Sequence, residues 1–309
     1  MKMSPKVLSM KAMILAAGLG TRLRPLTTDR PKALVPVGNR PVIDRGIAYL
    51  KEYGVDHIVV NAHHHHQRLI EYLDGGRPFD LPIQVLVEPT LMDTGGGIRN
   101  ASSFLDTSPF IVINGDILTD IDLGRALSAH KRSHALVTLV LHDYSPFNQI
   151  AVDDNMKITD IATKSRPNRL AFTGIHILEP EIMEHIPPSV PVSIVQCYRE
   201  LINAGKPIMA YISNDHYWQD IGTIETYLAA NQRTAKVRPF LVGSDCSMDP
   251  SVRLGDWAVI GPNGLLEKGV EITRSVLWEN VTVRRGTKII HSVIRSSNEV
   301  TTDVINTVL

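Results

Sequence analysis

Cysteine is nearly absent from this chain of 309 residues: Cys197 and Cys246 are the only two, and they form no Cys-x-x-Cys arrangement. That leaves no disulfide framework and no thiolate zinc site, and it fits a reducing, cytoplasmic environment. A surplus of charge is missing too, with 32 Lys plus Arg against 32 Asp plus Glu. Nucleic-acid binding would call for a basic excess, so that class of partner is not expected. No apolar run approaches the roughly 20 residues that span a bilayer. The opening MKMSPKVLSM lacks the apolar core of a secretory signal. A membrane partner is therefore not expected either.

What is present is ordinary globular material, 43% hydrophobic and 21% charged. The length suits one large α/β domain and a smaller module. The pattern places an extension over residues 1–10, the main domain over 11–236 and a different module over 237–309.

The main domain is organised around Lys11–Val37, KAMILAAGLGTRLRPLTTDRPKALVPV. Ala12–Ala17 reads as a buried strand that breaks into Gly18-Leu19-Gly20-Thr21-Arg22, with Arg24 and Lys32 downstream. Glycines let backbone N–H groups approach a phosphate, and fixed cations neutralise it. Taken alone, the loop reads equally well as a plain strand-to-helix turn with surface basics. Two familiar phosphate loops are excluded by spacing. A dinucleotide fingerprint needs a small residue at position 23, where Leu23 stands. A P-loop needs Gly-Lys-Ser/Thr, and this loop has no such triplet.

Further along, Pro41–Tyr53 reads as a helix ended by Gly54, and His57–Asn61 as a buried strand. Four histidines, His63–His66, follow it. Successive residues at a helix start diverge, so they do not converge on one ion. Ile83–Val87 is a strand ending in Glu88-Pro89. Asp93-Thr94-Gly95-Gly96-Gly97 opens a helix through Phe104, and its three glycines read either as a flexible turn or as backbone lying flat against a base or ribose, with N–H groups at the helix start free to donate. Pro109–Ile113 is a continuous apolar run, as in a central parallel strand. It ends in Asn114-Gly115-Asp116, and an acidic residue there lies where open α/β sheets bind ligands. Asp116 is a candidate Mg²⁺ ligand, since a carboxylate near phosphates needs a counter-charge. Asp120 and Asp122 read as helix caps. Ala135–Leu141 is another buried strand. Short alternating runs, 149–152, 157–163 and 170–177, then suggest antiparallel strands. Val192–Asn203 reads as a helix, Pro207–Ile212 as a strand, and Thr223 as the N-cap of the next helix.

From Pro239 the pattern becomes six-residue. Leu254, Ile260, Leu266, Ile272, Trp278 and Ile290 share one register, broken at Arg284, and Ala258, Val270, Val276 and Ile294 form a second column. This hexapeptide repeat marks a left-handed parallel β-helix with coils of about 18 residues. Its coil ends and edges offer a surface for self-association. Acyl transfer, which other hexapeptide proteins carry out, would need a histidine, and His291 alone is available.

GLGTRLRPLT followed by PKALVPV resembles the signature of the sugar-phosphate nucleotidylyltransferases, over about 27 residues without a gap. Thr94-Gly95-Gly96 resembles the family's nucleotide-contacting element, and the form LMDTGGGI is most similar to the uridylyl-transferring members that handle N-acetylmuramic acid 1-phosphate, whereas the C-terminal repeat is similar to that of mannose 1-phosphate guanylyltransferases and glucose 1-phosphate enzymes. The resemblance implies a Rossmann-like α/β domain, a mostly parallel sheet with helices on both faces, that joins a nucleoside triphosphate, UTP or GTP, to a sugar 1-phosphate and releases pyrophosphate. It implies Arg22 and Lys32 as the catalytic cations. Ala17, Gly18, Gly20, Thr21, Glu88, Thr94, Gly95 and Gly96 would hold the nucleotide. Lys164 and Gly174 would meet the sugar phosphate. Asp116 and Asp220, the latter in Trp218-Gln219-Asp220-Ile221-Gly222-Thr223, would carry Mg²⁺. The family's Glu-Lys-Pro element is Thr163-Lys164-Ser165 here. An alternative is a non-catalytic relative that binds the nucleotide sugar and regulates a partner.

Overall fold

A computed structural model of the chain describes residues 10–106 and 109–309. The expected N-terminal extension lies, except for Met10, outside the described residues. The chain forms two compact units that cut across sequence order. One comprises the residues up to Leu19 with Arg45–Trp218, and the other Gly20–Asp44 with Gln219–Leu309.

The first unit is built on a seven-stranded sheet. Its strands are β1 (Lys11–Leu15), β2 (His57–Ala62), β3 (Ile83–Val87), β4 (Phe110–Asn114), β5 (Val137–His142), β6 (Ala171–Leu178) and β7 (Ile208–Ile212), in the order β7-β5-β6-β4-β1-β2-β3. All neighbours are parallel except β6, which runs antiparallel to both β4 and β5. Strand β1 is central, with Ile14 opposite Val60 on one side and Ile113 on the other.

Both faces of the sheet are covered, which is why the strands read as unbroken apolar runs. Met13 and Val112 share a core with Ile98 of α3 (Asp93–Asn100) and with Tyr198 and Leu201 of α5 (Ile194–Asn203). Their neighbours Ile14 and Ile113 point the other way. A Cβ built on Gly46 of α1 (Val42–Glu52) would sit 3.8 and 3.4 Å from those two side chains, so the glycine lets α1 lie close on this face. On the α1 side α4 (Leu123–Ser133) also packs, with His130 Nδ1 2.8 Å from the Thr138 hydroxyl.

The run 170–177 is antiparallel, as expected, but β6 is inserted into the central sheet, and its last six residues, Thr173–Leu178, are all buried. Only Ile150–Val152 and Ile158–Ile161 form a separate antiparallel hairpin. The helix at Asp93 ends at Asn100 instead of Phe104, because the chain tightens into turns from Ala101.

In the second unit, α6 (Ile224–Thr234) begins with a reciprocal cap: Thr226 N–H donates to the Thr223 hydroxyl and Thr223 N–H to the Thr226 hydroxyl. The segment after it climbs in parallel strands. Leu254 pairs with Ile272, Ile272 with Ile289, and Ile289 with Val304. A second parallel ladder runs Ser247–Leu265–Thr282–Glu299. One coil thus shortens from 18 residues to 17 and then 15. The shorter coil corrects the six-residue register beyond Arg284: Ile289, not Ile290, is the fully buried partner of Ile272, and Val276 pairs with Val293.

Candidate active site

In the first unit, β1 ends in a loop where Ala17 is buried and Gly18 and Leu19 are exposed. A Cβ on Gly18 would meet nothing within 4 Å, so the backbone there faces open space. The loop is fixed from below by Asn61 at the end of β2. Its side-chain oxygen accepts the Ala16 N–H at 2.7 Å, and its amide donates to Glu88 Oε1 at 2.8 Å. Glu88 Oε2 accepts the Met92 N–H at 3.1 Å. Glu88 is only 3% exposed, so both carboxylate oxygens are committed to holding this framework. Sequence reasoning missed Asn61. Its one signal was an amide closing the apolar run HIVV.

The glycine triplet behaves differently from expectation. The N–H groups of Gly95 and Gly96 both donate to the Val192 carbonyl, at 2.8 and 3.2 Å, and Thr94 N–H donates to Asp93 Oδ1 at 2.6 Å. The Thr94 hydroxyl accepts the Ile194 N–H at 3.0 Å. The start of α3 is therefore satisfied by the segment leading into α5, and its N–H groups are not free. Side chains at Gly95 and Gly96 would strike the Val192 and Val190 carbonyl oxygens, each at 2.9 Å. A side chain at Gly97 would come within 2.6 Å of the Asn61 amide. The triplet is required for close approach of chain to chain.

Asp116 follows Gly115, whose N–H donates to the Leu15 carbonyl at 2.9 Å. This contact seats the carboxyl end of β4 on that of β1 and leaves Asp116 half-buried. Gly174 has φ +80°, and a Cβ there would lie 2.5 Å from the Asn114 amide nitrogen. The space over this glycine is thus taken by Asn114. Lys164 is exposed in the turn after the hairpin. The next two residues anchor that turn, Ser165 Oγ on the Ser145 carbonyl at 2.7 Å and Arg166 N–H on the Asn148 carbonyl at 2.8 Å.

In the second unit, Gly20 takes φ +62° and caps a 3₁₀ turn over Thr21–Leu23. Thr27 bonds back to the Gly20 carbonyl at 2.9 Å. A Cβ on Gly20 would meet Thr27 Cγ2 at 2.9 Å and Lys32 Cβ at 3.4 Å, so the lysine stem lies against the glycine. Thr21 and Arg22 are exposed. Arg22 and Asp220 flank Gly222: a Cβ there would be 2.8 Å from Asp220 Oδ2 and 3.5 Å from an Arg22 terminal nitrogen. The Arg22 guanidinium and the Asp220 carboxylate therefore meet around Gly222, while the Lys32 stem lies against Gly20. Asp116 and Asp220 offer hard oxygen donors, the donor type that suits Mg²⁺. The four histidines serve local structure. His63 Nδ1 is 2.7 Å from the Glu88 carbonyl, His66 Nδ1 is 3.0 Å from the His63 carbonyl, and the His64 and His65 rings pack 3.8 Å apart. Among the described residues no group of three or more His, Cys, Asp or Glu is placed to hold a metal, and no helix is long and apolar enough to cross a membrane.

A mostly parallel open sheet, with a glycine loop after its first strand and an aspartate past the strand beside it, defines the class of nucleotide-binding α/β proteins. Within that class the chain belongs to the nucleotidyl transferase family, whose pattern matches residues 11–237. It is 26% identical to the UTP–glucose-1-phosphate uridylyltransferase of Synechocystis, over 92% of this chain and 87% of that protein. To the mannose-1-phosphate guanylyltransferase of Mycobacterium tuberculosis it is 26% identical, over 89% of this chain and 81% of that one. The N-acetylmuramate alpha-1-phosphate uridylyltransferase of Neisseria meningitidis is 32% identical over 70% of this chain and 94% of its own length. Among solved structures, HddC from Yersinia pseudotuberculosis complexed with GMP-PN superimposes with a TM-score of 0.62 at 25% identity, covering 73% of this chain and 99% of that one.

Proposed function

We propose that the protein joins a nucleoside triphosphate, UTP or GTP, to a sugar 1-phosphate and releases pyrophosphate. A phosphate oxygen of the sugar phosphate attacks the α-phosphorus. The new O–P bond forms as the bond to the β-phosphate oxygen breaks, and pyrophosphate leaves with that electron pair. A phosphate monoester is already nucleophilic, so the protein's task is positioning and charge neutralisation. Arg22 holds the β- and γ-phosphates and then the pyrophosphate, and Lys32 neutralises the α-phosphate and the incoming phosphate. Ala17, Gly18, Gly20 and Thr21 allow the backbone to approach the triphosphate. Asp116 and Asp220 would hold Mg²⁺, which supplies positive charge to the phosphates. Lys164 meets the sugar phosphate. Glu88, Thr94, Gly95, Gly96 and Gly174 shape the site from beneath.

The observation that carries this reading is the family match over residues 11–237, reinforced by the retention of Arg22, Lys32, Asp116 and Asp220 in this chain. The retained set argues against a non-catalytic regulator. The test is pyrophosphate release from UTP, GTP, dTTP, ATP and CTP, each with glucose, mannose and N-acetylmuramic acid 1-phosphates and Mg²⁺. Turnover with a uridine or guanosine nucleotide is expected, and silence across the whole panel rejects the enzyme.

The parallel coils of the C-terminal module fit a left-handed β-helix. Phe240, Val242, Met248 and Ile305 are exposed on it, which supports self-association there. Light scattering of the full chain should show more than a monomer. A cytoplasmic location accords with Cys197 and Cys246 both being unpaired.

A further inference from the structure

The second unit has a groove of about 460 Å³, between α6 and one corner of the coils, that no residue of the proposed reaction lines. That corner is a column. Gly255 pairs with Thr273, Thr273 with Ile290 and Ile290 with Ile305. The residues that follow them, Asp256, Arg274, His291 and Asn306, all take left-handed backbone, with φ between +46° and +53°. At the other turns of the coils the left-handed positions are held by glycine or short side chains: Asp245, Asn263, Asn280, Ser297, Gly269 and Gly286. Arg274 is the exception, a long side chain in a conformation that favours glycine and asparagine. It lines the groove, as do His291 and Asn306.

The lining chemistry narrows the ligand. Leu228 and Trp257, each 6% exposed, give the groove an apolar floor. The carboxylate beside Arg274 is Asp256, 3.6 Å from Nε, and both side chains are more than half exposed. Among the described residues the terminal nitrogens of Arg274 have no partner, so they remain for a ligand. His291 Nδ1 lies 3.0 Å from Asn306 Oδ1, so Nδ1 donates and Nε2 is left as an acceptor. Glu225 also lines the groove, and its own backbone N–H, and then Thr223, hold its carboxyl below the usual range. A phosphate monoester suits this set. Two of its oxygens take the guanidinium fork, and the P–OH of its monoanion donates to His291 Nε2. A carboxylate has no such proton to give at neutral pH. The body of the ester covers the floor, and Glu225 disfavours a second anionic group. The volume lies in the range of small-molecule sites.

We propose that this groove binds a small phosphate monoester, its phosphate on Arg274 and His291 and its body on the floor of Leu228 and Trp257. The site stands apart from the transferase reading, since Arg22, Lys32 and Asp220 do not line it, and its test needs no turnover. The three tryptophans, Trp218, Trp257 and Trp278, give three indole N–H signals in an isotope-labelled sample of the full chain, and Trp257→Phe and Trp218→Phe assign them. The probes are phenyl phosphate and glucose 6-phosphate, an aryl and a hydroxylated ester. At least one should shift the Trp257 signal saturably, and the tighter of the two tells which kind of body the floor takes. Inorganic phosphate, which lacks the body, and benzoate, which lacks the proton, should bind about tenfold more weakly. Arg274→Asn removes the guanidinium and suits the left-handed backbone. It should weaken the ester about tenfold or more while the thermal midpoint stays at or above that of wild type. Glu225→Gln should tighten the ester about two- to threefold, as an exposed like charge is withdrawn. A Trp257 signal that neither ester moves, a shift that survives Arg274→Asn, or inorganic phosphate and benzoate binding as well as the esters overturns the proposal. A shift confined to Trp218 places the ester in the first unit and overturns it as well.

Discussion

The Arg30 guanidinium lies over the Trp278 indole, with its central carbon 4.3 Å from the ring centroid. The same guanidinium donates to Glu279 Oε1 and to the Ser296 hydroxyl, both at 2.7 Å. Trp278 in turn donates to the Tyr227 hydroxyl at 2.9 Å, which donates to the Pro36 carbonyl at 2.7 Å. The loop bearing Arg22 and Lys32 is thereby fastened to the coils at both Arg30 and Pro36.

Arg30→Met should loosen that loop. It removes a cation–π contact and the charged partner of Glu279, leaving only the Ser296 hydroxyl on that carboxylate oxygen, a loss of about 1–3 kcal/mol given that the carboxylate is partly solvated. Urea unfolding measures the loss. Arg30→Lys should recover only part of it, because an ammonium cannot reproduce two planar bonds and the ring contact together. Full stability in Arg30→Met would show that the contact contributes nothing.

Asp116→Asn and Asp220→Asn should each lower pyrophosphate release by orders of magnitude while the thermal midpoint stays near that of wild type. Added Mg²⁺ or Mn²⁺ should recover little, since a neutral amide is a poor ligand for a hard cation. Near-normal turnover in both variants removes these residues from the metal assignment.

Glycines that look alike in sequence should respond differently to alanine. At Gly18 nothing stands within 4 Å, so Gly18→Ala should fold with stability within about 0.5 kcal/mol of wild type and act only on nucleotide KM. At Gly97 a methyl would press on Asn61 and Glu88, and at Gly174 it would meet Asn114 at 2.5 Å on a left-handed backbone. Those two variants should lose about 1–3 kcal/mol or more. Calorimetry of the three side by side gives the ranking.

Stability should fall between pH 7 and 5. Burial holds the His176 imidazole down to about 3; burial, and then His216, hold that of His142 down to about 4; and burial lowers His130 despite Glu179. The unfolded chain takes up these protons near pH 6.5 and the folded chain does not, so stability is complete above that pH and is lost as pH falls toward the folded values. Each fully neutral histidine contributes a slope of up to about 1.4 kcal/mol per pH unit below 6.5. Denaturant titrations at pH 7, 6 and 5 report it, and a flat profile would mean the imidazoles protonate in place.

The central sheet was legible because strands buried on both faces are largely apolar, as FIVI within Phe110–Asn114 and VTLVL within Val137–His142 are. The place of β6 was not, since an antiparallel strand in a parallel sheet has the same apolar content as its neighbours. Gly18, Gly20, Arg22 and Lys32 stood out through their resemblance to the family's signature, since the loop alone reads equally well as a plain turn. Asn61, Arg30 and the bonds that occupy the start of α3 did not, because each depends on a partner supplied by tertiary structure. The step from 18- to 17-residue coils was invisible for a related reason: a six-residue pattern tolerates one missing position without losing its apolar count.

The fastening of Arg30 to Trp278, Glu279 and Ser296 also bears on the order in which the protein matures on the ribosome. Glu279 and Ser296, which anchor the signature loop through Arg30, are synthesised 249 and 266 residues after it. At about 5–20 residues per second, it waits many seconds before its partners emerge. A nascent chain stopped after residue 237 would carry every residue of the family match and keep the Tyr227–Pro36 bond, yet lack Trp278, Glu279 and Ser296, so in such a fragment the signature loop should be held less firmly until the coils are supplied.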